Sequence, residues 1–488
     1  MKKKLIYIGL TLMSASLLSS CMKDKLTNNQ LTVVTKDSSF DTEARVTNQL
    51  LGLYTVAKSG SFLGGRAIIS GEIRGGEYDV QEQNLVLGTD VYNMNVANNA
   101  TVPNSIWSQG YYTINSANLF LEGMASKGSS VVGPALSARF IAEARLVRAV
   151  SYLTLIQFFA RPYGVNNGNT PGIPLRLTGI AGPGQSALPR STFAQVYAQI
   201  LTDLDFAEQN LLATNGTAAA NTTRPHKNTA IALKTRVYLA MQNYPKVVEE
   251  ANKIVPAAAP FTATSGVANA LQANIADVFK TPYTTAESVF SLPMTVTAGD
   301  FPTTQTQVGF HFYDGGTAVA SGAAVYPLKA TGIVSNAGWK TTDARRAFIV
   351  TSTLGKFFFA KFPTRTTAYT DWVPVIRWAE VLLNLAEAKA RINTAAADPQ
   401  GIALLNAVRR RSDNTTLFAP LTSTELVNLI LTERQIEFLG EGLRNLDITR
   451  LVQNFPARGT SAVVSPTDES YIWPMVSNEL LLNPDINK

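Results

Sequence analysis

Apolar residues recur every three or four positions over most of this 488-residue chain. In Leu136-Ser-Ala-Arg-Phe140-Ile-Ala-Glu-Ala144-Arg-Leu-Val147 they fall four, four and three apart, which predicts an amphipathic helix. Arg139 and Glu143, four apart on the other face, read as an exposed ion pair. Similar patterns near 43–57, 104–124, 192–212, 227–254, 375–392, 400–411 and 423–440 predict further helices. Strand-like alternation is scarce and short. Within 230–255, Ile231, Val237, Tyr238 and Leu239 belong to one helix and Tyr244-Pro245 turns the chain. Val247, Val248, Ala251 and Ile254 then belong to the next. Two helices around a tight turn, with small residues at the crossing, have the form of a tetratricopeptide-like unit. No strict repeat period emerges, so such pairs are divergent, and each needs neighbours to bury its apolar face.

Two stretches break the helical pattern. Residues 161–190 carry Pro162, Gly164, Pro171, Gly172, Pro174, Pro183, Gly184 and Pro189, which predicts a long surface excursion. Residues 256–372 form a larger irregular insertion, low in charge and rich in Thr, Gly, Ala and aromatics. Long loops in a compact protein are functional or disordered, and the aromatics argue against disorder. The expected layout is one domain over 41–488, with helical parts at 41–255 and 373–488 flanking that insertion.

The first forty residues differ from the rest. Lys2, Lys3 and Lys4 precede an apolar run from Leu5 to Leu18, too short to span a bilayer but suited to a secretory signal. Leu18-Ser19-Ser20-Cys21 then resembles a bacterial lipoprotein box, with residues 1–20 removed and a lipid carried on Cys21. Residues 22 to about 40 are polar and suit a tether. Cys21 is the only cysteine, so no intramolecular disulfide contributes to stability. The formal charge of +7 falls to +4 once the three signal lysines are removed, which gives no footprint for nucleic acid. Arg409-Arg410-Arg411, the one basic run, sits in a helical pattern and reads as paired structural arginines.

Catalytic and cofactor motifs find little support. His226 and His311 are far apart, and no Gly-x-Ser-x-Gly elbow frames a serine. Two distant histidines make a weak zinc proposal, so no metal is expected. Gly71-Glu-Ile-Arg-Gly75-Gly76 is glycine-rich, but it follows no strand and lacks dinucleotide spacing, so no cofactor is expected. Glu433, Glu437 and Glu441 recur every four residues and could supply the two acids of a glycosidase. Arginines at 434, 444 and 450 and Asp447 favour an ion-pair network instead.

That same stretch, Glu433-Arg434-Gln-Ile-Glu437-Phe438-Leu-Gly-Glu441-Gly442-Leu-Arg444-Asn-Leu-Asp447-Ile-Thr-Arg450, resembles the C-terminal signature of the SusD/RagB family. Arg377-Trp378-Ala379-Glu380 through Ala386-Glu387-Ala388, Leu405 to Arg409, and Trp107 with Tyr111, Tyr112 and Asn118 are also similar to family segments. Ala142 to Tyr152, Pro162-Tyr163-Gly164, Gly172 to Leu175 and Pro189 to Thr192 stand in the family's order. At the C-terminus Trp473-Pro474 and Glu479 fit, while the close from Asn483 to Lys488 matches only in part.

The resemblance implies a mainly α fold with about four tetratricopeptide-like helix pairs, overlaid by an irregular, small-β layer that carries the ligand face. It further implies a non-enzymatic, lipid-anchored outer-membrane protein that captures oligosaccharides, or peptides, for a SusC-like TonB-dependent transporter. Sugars are held by aromatic faces and by polar groups for their hydroxyls. The candidates are Phe312, His311, Tyr313 and Asp314 in the insertion, then Trp339 between Gly338 and Lys340, which is the favoured single residue. Tyr78, Tyr92 and Asn93 offer the same chemistry earlier in the chain. Loops from the two regions are expected to meet on one face of the scaffold. A surface glycoside hydrolase and a purely protein-binding helical scaffold are the alternatives.

Overall fold

The computed structural model describes residues 37–182, 184, 186–313, 325–364 and 367–488. The signal, most of the tether with Cys21, and Asp314 lie outside the described residues. Mainly helical elements carry the fold. The principal helices are α1 (Glu43–Ala57), α2 (Arg66–Ile73), α3 (Thr101–Gly123), α4 (Pro134–Phe159), α5 (Phe193–Asn210) and α6 (Lys227–Ala240). They continue with α7 (Tyr244–Ala251), α8 (Trp378–Ile392), α9 (Pro399–Ser412), α10 (Ser423–Glu437) and α11 (Arg444–Arg450).

Local chemistry explains where these helices start. The Thr42 hydroxyl accepts from the Arg45 amide ahead of α1, and Thr422 does the same for Glu425 ahead of α10. Thr192 and Gln195 form a reciprocal capping box at α5. Thr192→Ala should therefore lower folding stability by about 1 kcal/mol, read as a shift in thermal midpoint; an unshifted midpoint would remove the cap from the account.

Helix α4 continues well past its amphipathic start, because Val147 to Phe159, apart from Arg148 and Gln157, are apolar or small and sit almost wholly in the core. The chain between α6 and α7 breaks at Gln242, with φ 57, rather than at Tyr244-Pro245. Pro245 lies in the first turn of α7, where its missing N–H leaves no intrahelical bond unmade.

Helices pack in neighbouring pairs, α1 with α3, α4 with α5, α6 with α7 and α8 with α9, an arrangement compatible with tetratricopeptide-like units. Buried polar clamps lock adjacent helices. Arg148 on α4 holds Asp203 on α5 through two 2.8 Å hydrogen bonds and donates to Asn118 of α3 at 2.8 Å. Glu143 is not part of an exposed pair. It is fully buried, accepting from Arg139 at 3.2 Å, from Arg224 at 2.7 Å and from the Tyr54 hydroxyl at 2.5 Å.

The strands form a thin layer. β1 (Pro171–Pro174) pairs with β2 (Arg190–Thr192), bracketing the proline-rich excursion. β3 (Ser288–Leu292) lies antiparallel to β6 (Val373–Arg377), which stitches the insertion to the start of α8. Between them β4 (Ile349–Thr351) and β5 (Phe357–Phe359) form a hairpin.

Candidate functional site

The two loop regions do meet, but through their buried faces. Asp79 N donates to Pro327 O at 2.8 Å, Gln81 N to Val325 O at 2.8 Å and Lys329 N to Glu77 O at 2.8 Å. Extended pairing alternates side chains, so Tyr78 turns inward while Asp79 stays exposed. Tyr78 packs on Phe312 with ring centroids 4.5 Å apart, Tyr92 packs on Tyr326 at 5.8 Å, and His311 stacks on Tyr326 at 6.2 Å. Tyr78, Tyr92, His311 and Phe312 are thus core residues, which corrects the expectation of a sugar platform there. Burial lowers the imidazoles of His226 and His311 to about 4, so neither carries charge at neutral pH.

Trp339 is also buried, at 1 % exposure, and presents no face to a ligand. Its polar neighbours mislead because distant arginines hold the loop inward. Arg409 donates to Gly338 O at 2.7 Å, Arg346 donates to Trp339 O, and the Arg346 guanidinium lies 4.4 Å from the indole centroid. Asn93 is half-buried, and its side-chain oxygen accepts from the Thr460 amide at 3.2 Å. Tyr313 is half-buried at the end of the described part of its loop.

The acids of the signature form a buried ionic hub. Glu437 meets Arg345 at 2.8 Å, Arg377 at 3.0 Å and Arg411 at 2.5 Å. Glu433 joins Arg345 at 2.6 Å and Arg409 at 2.5 Å, while Glu441 joins Arg377 and Lys361, both at 2.8 Å. Asp343 and Glu287 complete it, so five cations face five carboxylates. Burial would raise the Glu437 carboxyl, but Arg411, Arg377 and Arg345 hold it well below the usual carboxylate range. A glycosidase needs an acid raised toward neutrality beside room for a sugar. Glu437 and Glu441 are lowered and buried, so the hub is architecture.

A cleft of about 430 Å³ opens elsewhere, beside the C-terminal end of α4. Asn95, Phe159, Arg161, Arg190, Glu469 and Trp473 line it, together with neighbouring backbone. Its size and its convergent polar groups are those of a small-ligand site. Trp473 stacks on Phe158 with centroids 4.4 Å apart and 8° between planes, and its indole Nε1 lies buried without a hydrogen-bond partner. A larger depression of about 560 Å³ between α1 and α3 has no charged group in its lining.

Arg161, Arg190 and Glu469 come from three separate segments, and sequence reasoning missed them. No helix among the described residues is long and apolar enough to cross a membrane.

Comparison with known proteins agrees with this architecture. A family profile described as starch-binding, associating with the outer membrane, matches residues 24–239, and the SusD family profile matches 350–488. A SusD superfamily protein from Bacteroides fragilis is 32% identical, with a TM-score of 0.81 over 92% of this chain and 100% of its own. A SusD-like protein of Formosa agariphila is 24% identical over 94% of this chain and 95% of its own. A laminarin-binding SusD-like protein superposes with a TM-score of 0.69 at 19% identity, covering 91% of this chain and 98% of its own. The chain belongs to the SusD/RagB family of outer-membrane-associated, carbohydrate-binding proteins.

Proposed function

We propose that this protein is a cell-surface nutrient-binding lipoprotein, anchored through Cys21, that captures oligosaccharides and delivers them to a SusC-like TonB-dependent transporter in the outer membrane. The observation that carries the proposal is family membership across both the N- and C-terminal parts of the chain. The laminarin-binding relative supports a saccharide over a peptide. The cleft between α4 and the C-terminal segment is the proposed ligand site, with Asn95 and Ser470 offering hydrogen bonds to hydroxyls. Asn93 and Tyr313 stand at the edges of the joined loops, where a longer chain could reach them. The protein captures without chemistry, because the signature carboxylates are engaged by arginines.

Affinity electrophoresis against a panel of soluble glycans tests this reading. Retarded migration without released sugar is the expected result. Released sugar would establish a hydrolase, and an unretarded protein across the panel, together with association to the transporter, would establish the protein-binding scaffold.

A further inference from the structure

Charge is arranged in two contrasting ways. Every arginine of the hub meets carboxylates, whereas the arginines around the cleft meet only neutral oxygens. Arg161 donates to the carbonyls of Pro466, Thr467 and Asp468, the last two at 3.2 and 2.9 Å. Arg190 donates to Gly172 O at 2.7 Å, Pro171 O at 3.0 Å and Phe159 O at 3.3 Å, and its Nη1 makes no hydrogen bond among the described residues.

Two more guanidinium groups stand behind the wall. Arg74 lies 5.6 Å from the Trp473 ring centroid and donates to Asn445 Oδ1 and Tyr471 O, both at 2.6 Å. Arg458 donates to Tyr92 O at 2.9 Å and Pro456 O at 2.7 Å. Burial lowers Arg74 to about 9 and Arg458 to about 10, still charged at neutral pH. Neutral oxygens take up most N–H groups of these side chains, while Arg74 Nε and Arg458 Nη2 are left without a partner, and the net charge stays in place. Asp468 and Glu469 stand against these cations. Glu469 lines the cleft and is exposed, and the Asp468 carboxylate accepts from the Ser465 amide at 2.7 Å. A concave, partly apolar wall with an excess of one sign focuses its field on whatever enters.

Resting on the nutrient-binding reading, we infer that this cleft selects an anionic saccharide, one bearing uronate carboxylates or sulfate esters, over a neutral glucan. Arg161 and Arg190 line the cleft, and Arg190 Nη1, which makes no hydrogen bond among the described residues, is placed to donate to either oxyanion.

Calorimetric titration of the full mature chain tests the inference with four probes. They are an oligogalacturonate, a sulfated galactan oligosaccharide, a neutral β-glucan oligosaccharide and a glutamate-rich peptide. Binding of the first or second, weakened roughly tenfold between 50 and 500 mM NaCl, is expected, since added salt screens the cations. Which of the two binds identifies the oxyanion. Tighter binding of the neutral glucan overturns the inference and leaves nutrient capture intact. Binding of the peptide alone overturns it as well. Failure of all three saccharides overturns both readings.

Glu469→Gln gives a second test, because the side chain is exposed and makes no hydrogen bond among the described residues. It should tighten the anionic saccharide roughly threefold at low salt with an unchanged thermal midpoint. Unchanged or weaker binding would place the anion elsewhere.

Discussion

Glu437→Ala is expected to cost about 3–5 kcal/mol of folding stability, because it leaves buried guanidinium groups without their shared counter-charge. Arg345, Arg377 and Arg411 all converge on this one carboxylate, and Glu437 is fully buried. Each of the three arginines keeps another carboxylate, but five cations would then face four acids. Equilibrium unfolding in guanidinium chloride reads the loss as a lowered midpoint at unchanged slope. An exposed control, Glu249→Ala beside Lys246, should leave the midpoint unchanged.

The pH dependence separates electrostatics from packing. The Glu437 carboxyl is depressed in the folded state, so its contribution is complete above its unfolded value of 4.5 and is lost as pH falls below that. The gap between wild type and variant should therefore be constant from pH 6 to 8 and shrink in acid. A variant within about 1 kcal/mol of wild type at neutral pH would show that the hub carries no net weight. The hub also has a positional role. Arg345, Lys361, Asp343 and Glu287 come from the insertion, Arg377 from β6, Arg409 and Arg411 from α9, Glu433 and Glu437 from α10 and Glu441 from the turn after it, so the hub fixes the loop layer onto the scaffold.

Much of the helical frame was legible because amphipathic spacing is a local signal, and α1, α5, α8, α9 and α10 lie close to where that spacing put them. The ion-pair reading of Glu433, Glu437 and Glu441 was legible too, since arginines interleave with them at helical spacing. Burial of the loop aromatics was not. Trp339 sits between Gly338 and Lys340, yet Arg409 from α9 and Arg346 draw its backbone inward. Those contacts depend on the tertiary fold, to which local polarity is blind. Tyr78 and Phe312 are candidate ligand contacts by their local sequence, and each proves to be the other's packing partner. Arg161, Arg190 and Glu469 converge from segments more than two hundred residues apart at the extremes, so no spacing could have grouped them.

Gly71→Ala is the second large effect, and its sign runs against helix propensity. In an exposed helix the change would stabilise by about 1 kcal/mol. Here α2 crosses the turn that follows α10 at backbone distance, and a Cβ on Gly71 would stand 2.3 Å from the Gly442 carbonyl oxygen. The neighbouring Glu72 closes the crossing, since its carboxylate accepts from Gly442 N at 2.7 Å and Gly440 N at 3.0 Å. Gly440 and Gly442 themselves have φ of 84° and 83°, a left-handed backbone that glycine adopts without strain. The clash is backbone on backbone, so relief requires α2 to shift away and release both hydrogen bonds. The expected cost is about 2–4 kcal/mol, read as a lowered denaturant midpoint. Faster hydrogen exchange at the Gly440 and Gly442 amides should accompany it. A stabilised variant with unchanged exchange would mean that α2 yields without loss, and would remove close approach as the reason for glycine at 71. The glycine-rich stretch at 71–76, which has neither strand nor phosphate-binding spacing, thus has a packing role: it lets α2 seat against the signature turn whose acids hold the hub together.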